Sequence, residues 1–237
     1  MKFYYDLHLH SCLSPCGDND MTPYNLVNMA KLLGYDIIAL TDHNSCLNCP
    51  AAIKAGKQAG ITVVAGMELC TAEEIHTVCL FRELDGALAF SEYVRQSMAG
   101  IENDPEIFGE QLIMDETDKI IGTESLLLTS ASGISIDDAV KETAKFGGVC
   151  YPAHIDRASY SILSVLGFIY PEAGFKTAEF TSKAFIEGYE EKHPILKGMK
   201  KTVSSDAHYL ENMPEPVKTV DLPQCTPDAL IDYLLSD

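Results

Sequence analysis

The sequence is poor in basic residues. Its 237 residues include 17 Lys and Arg against 35 Asp and Glu, which gives a formal net charge of −18 at pH 7. A protein that binds duplex nucleic acid normally shows the opposite balance, because Lys and Arg neutralise the phosphate backbone. We therefore expect duplex nucleic acid to be an unlikely partner. Small anionic substrates remain compatible with this charge, because bound cations can reverse the local field.

The sequence also lacks a long hydrophobic run. Its longest apolar segments, 35–40 and 61–65, are far shorter than the ~20 residues that a membrane-spanning helix needs. The first residues, 1–6, lead into polar histidines without the apolar core of a signal peptide. Without a secretory segment, the eight cysteines are expected to be reduced thiols. These features predict a cytoplasmic protein that does not contact a membrane.

Predicted strands and helices alternate along the chain. The strands are expected at 3–9, 36–40, 61–65, 75–81, 148–151, 177–180, 202–204 and 217–220. Strand, helix and strand at this rhythm predict parallel pairing through right-handed crossovers. About seven βα units indicate an α/β barrel in a single domain over 1–237, with a less regular insertion at about 83–133. An open doubly wound sheet is the alternative.

Histidines and carboxylates follow the predicted strands. Alternate residues of a strand face the same side, so His8 and His10 at the end of the first strand can bind one ion. Asp206 and His208 repeat this spacing near the other end of the chain. The C-terminal ends of the strands share one face in α/β folds, and that face hosts the active site. Three further motifs follow other strands: Thr41-Asp42-His43, Gly66-Met67-Glu68 and Pro152-Ala153-His154.

In this order, the motifs resemble those of the PHP (polymerase and histidinol phosphatase) superfamily, over nearly the whole chain. The resemblance implies a distorted (β/α)7 TIM-like barrel with two or three divalent metal ions (Zn, Fe or Mn) at the C-terminal strand ends. Glu68 would bridge a first metal, shared with Asp206, to a second. His43 and His208 would hold a third. The ligands that the resemblance implies are His8, His10, Asp18, His43, Glu68, His76, His154, Asp206 and His208.

Two of these ligands depend on the resemblance more than the others do. Many relatives carry a Ser-Asp-Gly step after the second histidine, whereas this loop reads Ser14-Pro15-Cys16-Gly17-Asp18-Asn19-Asp20. Counting back from Pro23 selects Asp18 and implies a three-residue insertion, with Asp20 as the alternative. His76 lies inside an apolar strand, where a lone histidine is usually structural. The resemblance favours it as a ligand.

Four cysteines lie in the two loops that should border the same pocket. Cys12 and Cys16 follow the first strand, and Cys46 and Cys49 follow the second. A four-thiolate zinc or iron–sulfur site would require all four sulfurs to converge. Reduced thiols that pack the two loops together are the favoured interpretation.

The resemblance implies a metal-dependent phosphoesterase that acts on a small phosphorylated metabolite or nucleotide through a metal-activated hydroxide. Asp206 or a histidine of the pocket is the candidate proton donor to the leaving group. Arg157 is placed either to fork onto a phosphate or to pair with Asp156 or a surface carboxylate. Asp42 is expected to orient a histidine or a water molecule. The alternatives are a metal- and phosphate-binding regulatory protein with little turnover, a nuclease on short oligonucleotides, and an amidohydrolase.

Overall fold

The computed structural model describes residues 1–236, which contain ten strands, eight α-helices and three short 3₁₀ helices. The strands are β1 (Lys2–Leu9), β2 (Ile37–Leu40), β3 (Thr62–Cys70), β4 (His76–Phe81), β5 (Leu112–Met114), β6 (Ile120–Thr123), β7 (Gly148–Pro152), β8 (Thr177–Phe180), β9 (Lys200–Val203) and β10 (Thr219–Asp221). The helices are α1 (Pro23–Leu33), α2 (Cys49–Ala59), α3 (Leu84–Ser97), α4 (Pro105–Phe108), α5 (Ile136–Lys145), α6 (Ile162–Val165), α7 (Lys183–Lys192) and α8 (Pro227–Leu235).

The largest sheet has six strands in the order β10-β1-β2-β3-β4-β7. β1, β2 and β3 are parallel, whereas β10, β4 and β7 run antiparallel to their neighbours. β8 and β9 form a separate parallel pair, which approaches β1 through a bridge between Leu9 and Ala207. The fold is therefore mixed α/β with a curled, half-barrel sheet.

The predicted parallel pairing is wrong for β4, which pairs with β3 as an antiparallel hairpin. The link between the two strands is only five residues long, 71–75, and a parallel crossover needs a dozen or more. The hairpin also lengthens β3 beyond the predicted end at Ala65. As a result, Glu68 lies inside β3, opposite Val78, and does not follow the strand.

Both faces of the sheet are apolar. Within β2, Ile37 and Ala39 belong to one buried cluster, and Ile38 and Leu40 belong to another. One cluster includes residues of α8, and the other includes residues of α1, α2 and α3. Because strands covered on both faces read as continuous apolar runs, this arrangement accounts for the β2 sequence. It also makes the strands a rigid support for the side chains at their ends.

The helix ends follow their local sequence. The Thr22 hydroxyl caps α1 by accepting a hydrogen bond from the Asn25 amide, and α1 ends at Gly34 in the left-handed conformation (φ 96°). The range 83–133 contains α3, α4 and the β5–β6 hairpin. Within residues 1–236, every helix is too short or too polar to cross a membrane.

Candidate metal centre

Glu68 lies at the centre of the site, because five imidazoles surround its carboxylate. Its Oε1 is 2.9 Å from Nδ1 of His76, 3.0 Å from Nε2 of His154 and 3.3 Å from Nε2 of His8. Its Oε2 is 2.9 Å from Nδ1 of His43 and 3.3 Å from Nε2 of His10. Burial raises the pKa of Glu68, but the surrounding imidazoles lower it by a larger amount, so that the pKa lies well below its usual value. The carboxylate is therefore ionised and faces two different sets of nitrogens.

His8 and His10 aim the same ring nitrogen at the same place. Their Nε2 atoms are 3.1 Å apart, and both approach Oδ1 of Asp206, at 3.4 and 3.1 Å. Nδ1 of His8 is 2.7 Å from Oε1 of Glu179, which keeps a proton on Nδ1 and leaves Nε2 as the nitrogen that can coordinate. Two ring nitrogens that converge beside carboxylates leave a position that suits a cation.

Asp42 fixes His10 through a serine, as the sequence predicts for a residue that orients a histidine. Asp42 accepts hydrogen bonds from the hydroxyls of Ser11 (2.7 Å) and Ser14 (2.8 Å). Because the Ser14 hydroxyl donates its hydrogen bond to Asp42, its oxygen accepts a hydrogen bond from Nδ1–H of His10 at 2.9 Å. The Nε2 lone pair of His10 is thereby turned toward Glu68 and Asp206.

His43 and His208 complete a group of three histidines with His10, whose ligand atoms lie within 4.8 Å of one another. Burial is the main cause that lowers the pKa of His43 to about 4 and that of His208 to about 3. Both rings are therefore neutral at pH 7. A neutral imidazole is the form that coordinates a metal.

His76 and His154 lie on the other side of Glu68. Tyr160 stacks on His76 with ring centroids 4.8 Å apart, and its carbonyl accepts a hydrogen bond from the His76 amide. The backbone of His154 is left-handed (φ 29°), as is that of Asp206 (φ 53°). Such conformations cost about 1 kcal/mol or more in residues other than glycine. The fold therefore places these two side chains against a local backbone preference.

The chemistry of these donors fits metal ions. Three sets of His and carboxylate atoms lie within 4.8 Å of one another: His10, His43 and His208; His8, His10, Glu68 and Asp206; and His43, Glu68 and His76. Nδ1 of His43 and Oδ1 of Asp206 are buried without a hydrogen-bond partner. Buried polar atoms are otherwise almost always satisfied, so these two atoms indicate a missing cationic partner.

The site opens into a cavity of about 250 Å³. Arg157, which is 43% exposed, borders it and pairs with Oδ2 of Asp206 at 2.6 Å. Asp156, the alternative partner of Arg157, instead accepts hydrogen bonds from the Thr181 amide and hydroxyl. Arg157 thus lies beside the candidate metal ligands, with a partly exposed side chain that borders the cavity.

The first loop departs from the sequence prediction. The carboxylate of Asp18 accepts a hydrogen bond from the Asp20 amide, and neither aspartate joins a group of potential metal ligands among the described residues. The contact of Asp18 with the site is made by its backbone amide, which donates a hydrogen bond to the carbonyl of His208 at 2.9 Å. Of the four loop cysteines, Cys16 borders the cavity, whereas Cys12, Cys46 and Cys49 are buried elsewhere with free thiols.

Glu179 is the functional residue that the sequence analysis missed. It lies in β8, is almost completely buried, and also accepts a hydrogen bond from the His154 amide at 3.2 Å. Its second oxygen, Oε2, has no hydrogen-bond partner. A single glutamate inside the apolar strand Thr-Ala-Glu-Phe is the signal that could have identified it, because a buried carboxylate requires a partner.

Comparison with known proteins agrees with this geometry. A model of the PHP domain matches residues 6–213. The 5'-3' exoribonuclease of Haemophilus influenzae is 38% identical over 79 residues, which are 32% of this chain and 28% of that protein. A lesion-specific endonuclease from Pyrococcus furiosus has the same fold, with a TM-score of 0.69 and 15% identity over 99% of this chain and 56% of that chain. The chain thus spans little more than half of the endonuclease and less than a third of the exoribonuclease.

A further solved structure matches over nearly its whole length. It comes from Bifidobacterium adolescentis and was assigned provisionally as a metal-dependent phosphoesterase. The match has a TM-score of 0.59 and 15% identity, and it covers 98% of this chain and 95% of that one.

The prediction that duplex nucleic acid is an unlikely partner is wrong. Endonuclease Q covers 99% of this chain with a TM-score of 0.68 and 14% identity, and it is solved in complex with a 27-mer duplex that carries an abasic lesion at the active site. The prediction relied on the net charge of −18, which is a sum over the whole chain. A phosphate group responds to the local field, which bound cations can reverse.

All nine predicted ligand residues fall within the matched range 6–213. The chain therefore belongs to the PHP domain family of metal-dependent hydrolases.

Proposed function

We propose that the chain hydrolyses phosphate esters of a small metabolite or nucleotide with two or three divalent cations (zinc, iron or manganese). The observation that carries the proposal is the position of Glu68, whose two carboxylate oxygens face separate sets of imidazole nitrogens. A carboxylate in this position is suited to bridge two cations. The cations would be held by His8, His10, His43, Glu68, His76, His154, Asp206 and His208, with a further ligand from the first loop.

When bound, the cations supply Lewis acidity and acidify water, so that a nucleophile forms at neutral pH. The chain's own residues orient the substrate and move the proton. Arg157 would bind a phosphate oxygen through the part of its guanidinium that faces the cavity. Burial raises the pKa of Asp206, but the nearby His8 and His10 lower it by a larger amount. The carboxylate is therefore ionised at neutral pH. Its Oδ1, which lacks a hydrogen-bond partner, can accept the proton of the attacking water and deliver it to the leaving oxygen.

Nuclease activity is the second candidate. It is supported by the 38% identity over 79 residues to an exoribonuclease and by the fold shared with endonuclease Q. Both activities break a phosphorus–oxygen bond and would use the same ligands. They differ in what lies beyond the scissile phosphate, so substrate preference separates them.

Metal analysis combined with a substrate screen tests the proposal. The screen should contain sugar phosphates, amino-alcohol phosphates, nucleotides, short single-stranded RNA and duplex DNA with an abasic site. We expect at least two metal ions per chain and the highest kcat/KM on a small phosphomonoester. Preferential cleavage of an oligonucleotide would establish the nuclease instead, and bound metal without hydrolysis of any substrate would indicate a regulatory protein.

The variant His8→Ala with His10→Ala should lose most of the bound metal and the activity. His193→Ala is the matched control, because His193 lies at the C-terminal end of α7 and stacks on Tyr189 outside the site. Both variants should keep the circular dichroism spectrum of the wild type. Wild-type metal content in the double variant would remove the basis of the proposal.

A further inference from the structure

The group formed by His10, His43 and His208 contains no anionic ligand. The other two groups each include a carboxylate, from Glu68 or from Asp206. Three imidazole ligands leave the charge of a divalent cation uncompensated and provide only three of the four donors that a closed zinc site requires. A cation held by these histidines therefore needs a further donor, and an anion is favoured on grounds of charge.

The loop 14–18 is fastened to all three of these histidines. The Ser14 hydroxyl oxygen contacts Nδ1 of His10 at 2.9 Å and accepts a hydrogen bond from the His43 amide at 3.2 Å. At the other end of the loop, the Asp18 amide donates to the His208 carbonyl at 2.9 Å. The residue midway between these two anchors, Cys16, is thus held next to the three-histidine group.

The loop is compact, which limits the side chains that can reach the cavity. Gly17 packs so closely that a Cβ atom there would lie 2.5 Å from the Ser11 carbonyl oxygen. Its amide donates to the Ser14 carbonyl at 2.8 Å. Asp18 uses its carboxylate within the loop, on the Asp20 amide, whereas Cys16 borders the cavity together with His43 and His208.

Two buried atoms of the same cavity make no hydrogen bond although each lies close to another candidate ligand atom, at 2.9 Å for His43 and Glu68 and 3.1 Å for Asp206 and His10. This arrangement points to a bound cation. Nδ1 of His43 and Oδ1 of Asp206 have no hydrogen bond, although both side chains are more than nine-tenths buried. Oδ1 of Asp206 also lies 3.1 Å from Nε2 of His10, a member of the three-histidine group. The space beside Cys16 is therefore lined by donors that a cation would satisfy.

We propose that the thiolate of Cys16 is the anionic ligand of the cation held by His10, His43 and His208, in place of the aspartate predicted from the loop spacing. The inference rests on the proposed metal site. The sulfur is not yet within 4.8 Å of all three nitrogens, so the side chain moves inward as the cation binds. The thiol proton leaves to solvent, and a bond from sulfur to the metal forms. Imidazole and thiolate are both ligand types that zinc favours.

Titration of the metal-free protein with Co²⁺ tests the proposal, because a thiolate bound to Co²⁺ gives an intense charge-transfer band in the near ultraviolet, whereas imidazole and carboxylate ligands do not. The wild type should develop this band during the titration. Cys16→Ser should bind cobalt without the band, and its weakest site should lose about tenfold or more in affinity. Asp18→Asn should keep the band.

Two cysteine variants serve as controls. Cys225→Ser removes a half-buried thiol near Asp36, outside the cavity, and should leave the band unchanged. Cys70→Ala removes a buried thiol that neighbours His76 across the β3–β4 hairpin, and it should also keep the band. A band that disappears in Cys70→Ala, or that persists in Cys16→Ser, would overturn the assignment.

The outcomes separate this inference from the proposed function. A protein that binds two or more Co²⁺ per chain and hydrolyses phosphomonoesters without the band retains the proposed function and refutes the role of Cys16. A protein that binds no cobalt refutes both. If Asp18→Asn loses one bound Co²⁺ per chain while Cys16→Ser keeps full stoichiometry, Asp18, the ligand predicted from the sequence, would be restored.

Discussion

At the scale of single residues, the tautomers of the histidines decide what the site can bind. Nδ1–H of His8 donates a hydrogen bond to Glu179, and Nδ1–H of His10 donates one to Ser14, so both rings present Nε2 to the same place. Glu179 thus acts on a cation through His8 and through the backbone of His154. Carboxylates that hold metal-binding histidines in this way set both ring orientation and ligand basicity.

Glu179→Gln should therefore weaken metal binding without removing a ligand. We expect metal affinity to fall by about 10- to 100-fold, the usual effect of losing such a partner. Competition with a chromophoric chelator measures it. Glu187→Gln, on the exposed surface of α7, is the matched control. Equal affinities for the two variants would show that Glu179 has only a packing role.

Arg157→Lys tests whether the guanidinium binds substrate. Lysine keeps the positive charge beside Asp206 but cannot form two parallel hydrogen bonds to a phosphate. We expect kcat/KM to drop by about tenfold or more while metal content stays constant. Wild-type kinetics would assign Arg157 to the ion pair with Asp206 alone. A loss of metal would mean instead that the ion pair holds Asp206 in place.

At the scale of elements, the β3–β4 hairpin supplies both the central carboxylate and His76. The two strands approach closely at Gly66, where a Cβ atom would lie 2.9 Å from the Cys79 carbonyl oxygen and 2.9 Å from Cγ2 of Thr41. Glu68 follows two residues later on the same strand. The position of the carboxylate therefore depends on the close contact between β3 and its neighbours.

Gly66→Ala should destabilise the fold by about 1–3 kcal/mol, because the backbone of β4 has to move away. Gly188→Ala, in the exposed helix α7 with nothing within 4 Å of the added methyl group, should instead stabilise it by up to about 1 kcal/mol. Urea unfolding of the metal-free variants measures both changes. If Gly66→Ala unfolds at the wild-type urea concentration, β3 has more freedom than its contacts indicate.

The same hairpin shows how far the sequence predicts the structure. The positions of most strands and helices follow from their apolar runs and caps, and the ligand pairs follow from strand alternation at His8 and His10. The direction of β4 could have been predicted from the five-residue link before it, but strand rhythm concealed it. The apolar strand around Glu179 signals a buried carboxylate, but its partner His8 and the proposed role of Cys16 depend on contacts between distant segments, which no local pattern contains.

At the scale of the whole molecule, net charge is a poor guide to substrate. The net charge is a sum over the whole chain, whereas the eight candidate ligands lie in one site, which we expect to bind anions when its cations are present. The stability of the molecule should also depend on those cations, since the buried ligands lose their partners when the metal is removed.

Removal of the metal should lower the melting temperature by about 10 °C or more. A cation present at a thousand times its Kd stabilises the folded state by ~4 kcal/mol, and each kcal/mol changes Tm by about 2–4 °C in a chain of this size. Differential scanning calorimetry with and without a chelator measures the shift. The variant His8→Ala with His10→Ala should not respond to the chelator. An equal response in that variant would attribute the shift to another site.

The contact between His8 and Asp206 has a topological consequence as well. These residues are about 200 positions apart in the sequence, yet Nε2 of one lies 3.4 Å from Oδ1 of the other. A cation that binds both would close a loop containing most of the chain, as a covalent cross-link between the ends would. Such a link reduces the entropy of the unfolded chain, and the reduction grows with the logarithm of loop length. The bound ion would then hold the end of β1 to the segment that follows β9, and so join the curled sheet to the separate β8–β9 pair.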